Sequence, residues 1–102
     1  MTTLERLSDT IAARRSGDTE TSWTARLLAA GPEKCAEKFG EEAIEAVIAC
    51  VANDRDNLVY EAADVIYHLA VMLAARDITL AEVLAELDRR AGQSGISEKA
   101  GR

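Results

Sequence analysis

The sequence contains little of what a β-sheet protein needs. Among 102 residues there are one phenylalanine, one tryptophan and two tyrosines, so aromatic residues make up only 4% of the chain. Strands favour β-branched and aromatic residues, whereas alanine, leucine and glutamate, which dominate here, favour helices. Proline, which interrupts helices, occurs once. We therefore predict an all-α fold.

Positive charge is also scarce. The chain has 12 basic and 18 acidic residues, which gives a net charge of −6. It therefore lacks the broad positive field on which non-specific binding to nucleic acids depends, and we expect no nucleic-acid partner. A polyanionic substrate would need metal ions or a few local lysines.

Cysteine pairs and long apolar segments are missing as well. Cys35 and Cys50 lie in apolar helical surroundings without C-x-x-C spacing, which predicts two reduced core residues. The chain does not open with a basic segment followed by an apolar run, and its longest uncharged stretch, 65–75, is too short to span a bilayer. We expect a cytoplasmic protein without a membrane partner.

Hydrophobic periodicity and capping residues predict five helices. Ser22 is placed to cap the second, Pro32 to open the third, and Thr79 with Glu82 to form a capping box on the fifth. We expect one domain, residues 1–92, followed by a flexible tail, residues 93–102. The predicted helices are 3–15, 23–30, 32–52, 56–76 and 79–92.

The third predicted helix is apolar around most of its circumference but carries one charged stripe. At about 100° per residue, its lysines and glutamates fall within roughly 100° of one another. The stripe consists of Lys34, Lys38, Glu41, Glu42 and Glu45.

The fourth predicted helix carries a matching stripe of Asn57, Glu61, Asp64 and His68. A polar turn at residues 53–55 makes the two helices antiparallel neighbours, so facing stripes would bring several carboxylates into one groove. Their mutual repulsion would raise their pKa values or separate the helices unless cations intervene. Hard oxygen ligands favour Mg²⁺, or alternatively Mn²⁺, over zinc. The alternative is that these residues are ordinary solvated acids.

The acidic motif G-E-E-x-x-E (40–45), followed after fifteen residues by E-x-x-D (61–64), resembles the signature of the MazG-like superfamily of all-α nucleotide pyrophosphohydrolases. Three longer segments resemble the phosphoribosyl-ATP pyrophosphohydrolase family in particular, over about residues 4–90. They are WTARLLAAGPEKCAEKFGEEAIE (23–45), EAADVIYHL (61–69) and LAEVLAEL (80–87).

This resemblance implies an activity and a site. The reaction would be Mg²⁺-dependent hydrolysis of the α–β phosphoanhydride of phosphoribosyl-ATP to phosphoribosyl-AMP and pyrophosphate, the second step of histidine biosynthesis. By resemblance, the metal ligands are Glu42, Glu45, Glu61 and Asp64. Glu41 would be either an outer ligand or a base for the attacking water. The residues that the resemblance implies to be catalytic are Glu41, Glu42 and Glu45.

Other side chains near the acids are predicted to bind the substrate or to support the site. Lys34 and Lys38 are predicted to bind phosphates, the alternative being pairs with neighbouring glutamates; Asn57 is the third predicted substrate contact. His68 is expected to be a buried histidine with satisfied hydrogen bonds, or one that supports the ligands from behind, and not a ligand itself. Trp23 either stacks on a base or lies in the core or an interface. Three arginines could bind the phosphate of the phosphoribosyl group, but each could equally be an ordinary solvent-exposed side chain. They are Arg14, Arg15 and Arg26.

The apolar circumference of helices three and four also predicts assembly. The three shorter helices of one chain can hardly cover both, whereas a four-helix bundle across a two-fold axis would, so we expect an antiparallel bundle completed by homodimerisation. Two other functions fit the sequence: a housecleaning nucleoside triphosphate pyrophosphohydrolase, or a non-catalytic helical dimerisation module whose acids only keep it in solution.

Overall fold

A computed structural model describes residues 1–92, which form five α-helices and no strand. The predicted all-α fold is confirmed, and the predicted helix ends are within two residues of those observed. The predicted C-terminal tail, 93–102, lies outside the described residues. The helices are α1 (Thr3–Arg14), α2 (Trp23–Ala30), α3 (Pro32–Val51), α4 (Arg55–Ala74) and α5 (Leu80–Arg90).

Side-chain caps fix where the helices begin. The Ser22 hydroxyl accepts a hydrogen bond from the backbone N–H of Ala25 (3.1 Å), which satisfies a donor that α2 cannot pair internally. The predicted capping box of Thr79 and Glu82 is present on α5. A single residue, Gly31, joins α2 to α3, and its φ of +101° lies in the left-handed region that favours glycine.

Helices α3 and α4 form an antiparallel hairpin and make the most extensive helix–helix contact in the fold. The turn between them is short because Asn53 adopts the left-handed conformation (φ 56°) and Asp54 caps α4. The Asp54 carboxylate accepts a hydrogen bond from the backbone N–H of Asn57 (3.3 Å). This tight turn sets the register that brings the two acidic motifs level with each other.

The hydrophobic core occupies the end of the hairpin that lies away from this turn. All five helices contribute to it, through Ile11, Leu27, Cys35, Ala70, Val71 and Leu80. The Cys35 thiol donates a hydrogen bond to the carbonyl of Leu27 (3.2 Å), and burial raises its pKa.

The prediction that both cysteines are core residues is wrong for Cys50, which is exposed. It lies on the last turn of α3, where the core cluster no longer reaches and where only Ala49 is buried. The apolar residues next to Cys50 in the sequence are therefore not enough to bury its side chain within a single chain.

The half of the hairpin nearest the turn exposes a second apolar surface, which we call the apolar face. Its large side chains are from 44% to 83% exposed in the single chain. They are Ile44, Val47, Ile48, Val51, Val59, Tyr60 and Ile66. Within residues 1–92, no helix has both the length and the apolar character needed to cross a membrane.

Candidate metal centre

Three carboxylates meet between the two long helices. Glu42 of α3 and Glu61 and Asp64 of α4 each place one oxygen so that all three atoms lie within 4.8 Å of one another. Glu61 and Asp64 are three residues apart, so they project from adjacent turns of the same helix face, and the hairpin brings Glu42 opposite them. All three side chains are half-buried. We call this group the acidic cluster.

The electrostatics of the acidic cluster favour a bound cation. Burial raises the pKa of the Glu61 carboxyl, and the charges of Asp64, Glu42 and Glu45 raise it further. Among residues 1–92, no lysine or arginine forms an ion pair with any of the three clustered carboxylates. Carboxylate oxygens are the ligands that Mg²⁺ and Mn²⁺ prefer, so the donor set fits a divalent cation.

The other two glutamates of the motif lie beside the acidic cluster. Glu45 is exposed and is not among the three converging residues, although its charge contributes to the raised pKa of Glu61. Glu41 forms an ion pair with Lys38, in which the ammonium nitrogen lies 3.1 Å from a carboxylate oxygen. The structure thus brings together three of the four predicted ligands.

The two predicted phosphate-binding lysines differ in position. Lys38 is only 23% exposed and lies one helical turn before Glu42. Its hydrogen bond to Glu41 raises its pKa, although burial opposes the shift, and the charges of Glu41, Glu42 and Glu37 raise it further. Lys34 lies one turn farther away and pairs with Glu37 at 3.4 Å.

Asn57 lies at the start of α4, one turn before Glu61, and is exposed. Its backbone N–H is used by the Asp54 cap. The side chain shares the α4 stripe with the acidic cluster and lies nearer to the hairpin turn.

His68 is buried beside the acidic cluster, as predicted, with 6% of its surface exposed. Its Nδ1 lies 2.9 Å from the backbone carbonyl of Asp64, which can only accept, so Nδ1 carries the proton. The Tyr67 ring packs against the imidazole in a T-shaped arrangement, with ring centres 4.9 Å apart. Within the described residues, the buried Nε2 has no hydrogen-bond partner.

Two of the three candidate arginines have local structural partners. Arg15 donates to the backbone carbonyl of Ala74 and forms an ion pair with Asp77 at 3.4 Å. The Nε of Arg26 donates to the carbonyl of Thr19 (3.0 Å), which fixes the loop before α2.

One contact beside the site was not predicted from the sequence. The ammonium of Lys38 lies 5.8 Å from the centre of the Trp23 ring, so the first residue of α2 sits next to the charged stripe of α3. Trp23 is 47% exposed and is therefore not a core residue. No sequence spacing relates these two residues, because they lie on different helices.

The fold and the site define an all-α protein with a carboxylate centre between two antiparallel helices. Residues 4–91 match the family model described as phosphoribosyl-ATP pyrophosphohydrolase. A protein named phosphoribosyl-ATP pyrophosphatase from Rhodobacter capsulatus is 74% identical over 102 residues, which cover 100% of this chain and 99% of that protein.

Two further relatives carry the same name. The one from Dinoroseobacter shibae is 70% identical over 100% of both chains, and the one from Ruegeria pomeroyi is 65% identical over 100% of this chain and 97% of its own. The chain therefore belongs to the phosphoribosyl-ATP pyrophosphohydrolase family.

Proposed function

We propose that this protein hydrolyses phosphoribosyl-ATP at the α–β phosphoanhydride and releases phosphoribosyl-AMP and pyrophosphate, the second step of histidine biosynthesis. The observation that carries the proposal is the acidic cluster: the two halves of the family's acidic motif, far apart in sequence, supply three carboxylates within 4.8 Å of one another. Full-length relatives at 65% to 74% identity that are named for this activity support it. Residues 1–92 would act as one catalytic domain.

The cation in this proposal is Mg²⁺, with Mn²⁺ as an alternative. Glu42, Glu61 and Asp64 would hold it, and Glu45 would join them once the substrate is bound. When bound, such a cation would neutralise charge on the phosphate oxygens and lower the pKa of the attacking water. The raised pKa of Glu61 supports this assignment, because a cation among the carboxylates removes their repulsion.

The chain's own residues divide the remaining tasks. Glu41 would accept the proton of the attacking water once Lys38 turns from it to a phosphate oxygen. Lys38 is the nearer of the two lysines to the acidic cluster and would meet the polyphosphate first, with Lys34 one turn behind. The side-chain amide of Asn57, near the hairpin turn, would form a hydrogen bond with the substrate on the side of the acidic cluster away from the two lysines.

The proposal includes a homodimer. The apolar face is exposed in the single chain, outside the hydrophobic core, and includes Tyr60, the residue that precedes Glu61 of the acidic cluster. Packing two hairpins across a two-fold axis would bury this face in a four-helix bundle. The site would then be enclosed on the side that a single chain leaves open.

A substrate panel tests the activity. The purified chain is incubated with Mg²⁺ and either phosphoribosyl-ATP or a set of nucleoside triphosphates, and pyrophosphate release is measured. We expect a marked preference for phosphoribosyl-ATP. Preference for the nucleoside triphosphates would replace the proposal with a housecleaning pyrophosphohydrolase, and no release from any substrate would favour a non-catalytic dimerisation module.

A further inference from the structure

We propose that the indole of Trp23 is a stacking platform for the purine ring of the substrate, and that Lys38 occupies this platform when no nucleotide is bound. The inference rests on the proposed function, because it assumes that the polyphosphate is held at the acidic cluster. It assigns a positioning role to α2, a helix that carries none of the acidic motif.

The exposure of Trp23 is the first argument. Helix α2 buries Ala25 and Leu27 almost completely against the rest of the fold, yet its first residue leaves 47% of its surface in solvent. An aromatic side chain provides the largest apolar surface for a ligand at a small cost in conformational freedom, and every nucleobase presents a flat face to it. Trp23 does not belong to the apolar face, which lies on α3 and α4.

The second argument is that the start of α2, which carries the platform, is held in place relative to the acidic cluster. The Ser22 cap orients the first turn of α2, and the hydroxyl of the adjacent Thr24 forms a hydrogen bond with the hydroxyl of Tyr67 on α4. The Tyr67 ring forms a T-shaped contact with His68, whose Nδ1 donates a hydrogen bond to the backbone carbonyl of Asp64. A continuous set of contacts therefore links the neighbour of Trp23 to one of the clustered acids.

The third argument is the position of Lys38 between platform and acidic cluster. Its ammonium lies 5.8 Å from the centre of the indole ring and 3.1 Å from the Glu41 carboxylate, and its Cα is one turn, about 6 Å along the helix, before that of Glu42. A nucleotide carries its base and its phosphates on opposite sides of one sugar. With the phosphates at the acidic cluster, the base reaches the indole, and Lys38 moves from the ring to the phosphates.

Fluorescence tests this placement directly, because Trp23 is the only tryptophan of the chain. The full chain with Mg²⁺ is titrated with ATP and, separately, with inorganic triphosphate; free N-acetyltryptophanamide corrects for absorption by the purine. We expect saturable quenching by ATP that exceeds any change caused by triphosphate. Equal responses to the two ligands would overturn the inference.

Kinetics provides the second measurement. Trp23→Leu should raise the KM for phosphoribosyl-ATP about tenfold with little change in kcat, which corresponds to about 1.4 kcal/mol, near the low end for a base on an aromatic side chain. Trp23→Tyr should restore most of the affinity. Leu87→Ala removes another exposed apolar side chain, on α5, and should leave KM unchanged.

The outcomes separate the platform from the activity. If the unmodified chain releases pyrophosphate but Trp23→Leu keeps its KM, the platform is overturned and the proposed function stands. If the chain releases no pyrophosphate, the proposed function fails, and the ATP titration still decides whether a purine binds at the indole. Fluorescence that depends on protein concentration and not on nucleotide would place Trp23 in a subunit contact and would also overturn the inference.

Discussion

Replacing Asp64 with asparagine should have opposite effects on stability with and without Mg²⁺. The substitution keeps the shape of the side chain but removes one of three charges that lie within 4.8 Å of one another. Between Asp64 and Glu42 alone, two charges at 4.8 Å repel by about 0.9 kcal/mol at the dielectric constant of water, a suitable limit because both side chains are half-exposed. In EDTA the variant should therefore be more stable than the unmodified chain, by on the order of 1 kcal/mol.

With Mg²⁺ the order should reverse. A ligand present at about 100 times its Kd stabilises the folded state by about 2.7 kcal/mol. For a domain of this size, 1 kcal/mol shifts Tm by about 4–8 °C, so saturating Mg²⁺ should raise the Tm of the unmodified chain by roughly 10–20 °C. Asp64→Asn, with two carboxylates left in the acidic cluster, should lose most of this rise.

The assay is thermal unfolding followed by far-UV circular dichroism at one fixed protein concentration, because assembly also affects Tm. Glu37→Gln is the matched control: it removes an acid from α3 that pairs with Lys34 and lies outside the acidic cluster. The control should keep the full response to Mg²⁺. If Asp64→Asn also kept it, the acidic cluster would not be the metal site.

Three further predictions concern other parts of the chain. Glu45→Gln should abolish pyrophosphate release and leave the helical content unchanged by circular dichroism; full turnover would exclude Glu45 from the site. Val47→Glu places a charge on the apolar face and should convert a dimer to a monomer in sedimentation equilibrium, whereas an unchanged mass would place the subunit contact elsewhere. Hydrogen bonds from Arg89 and Arg90 lower the pKa of Glu86 from 4.5 to about 2, so this carboxylate stabilises the fold above pH 4.5 and the contribution is lost as the pH falls towards 2. Urea unfolding of Glu86→Gln should accordingly show a smaller loss of stability across that interval, and an identical loss would mean that the pairing does not stabilise the fold.

The helices could be predicted from the sequence because their ends are determined by local chemistry. Ser22, Pro32 and the Thr79 capping box each act within one turn of their own position, so the residues alone place the helix starts. The predicted ends of α1, α3, α4 and α5 run one or two residues too far. In α4 the difference arises because Ala75 and Arg76 complete the last turn before Asp77, whose left-handed φ of 59° ends it.

The site was predictable only as far as spacing along one helix determines it. The three-residue separation of Glu61 and Asp64, together with the short turn, was enough to bring them to Glu42. Spacing along a helix does not determine how far one helix is rotated about its axis relative to another. That rotation leaves Glu45 outside the acidic cluster. It also carries no information on contacts between separate helices, which is why the approach of Lys38 to Trp23 was not foreseen.

The composition of α3 follows from the three surfaces that this helix must meet. One side, which includes Cys35 and Ala49, is buried; a second carries the acids and lysines; the third presents Ile44 and Val51 to solvent in the single chain. A helix with one buried side and one solvent-exposed side needs only a single apolar stripe. The additional apolar stripe next to the charged one fits the proposed dimer, in which a second hairpin would cover this stripe and lower the local dielectric constant around the acidic cluster. In that dimer the exposed apolar residues of α3 would strengthen the electrostatic attraction between the carboxylates of the acidic cluster and a bound cation.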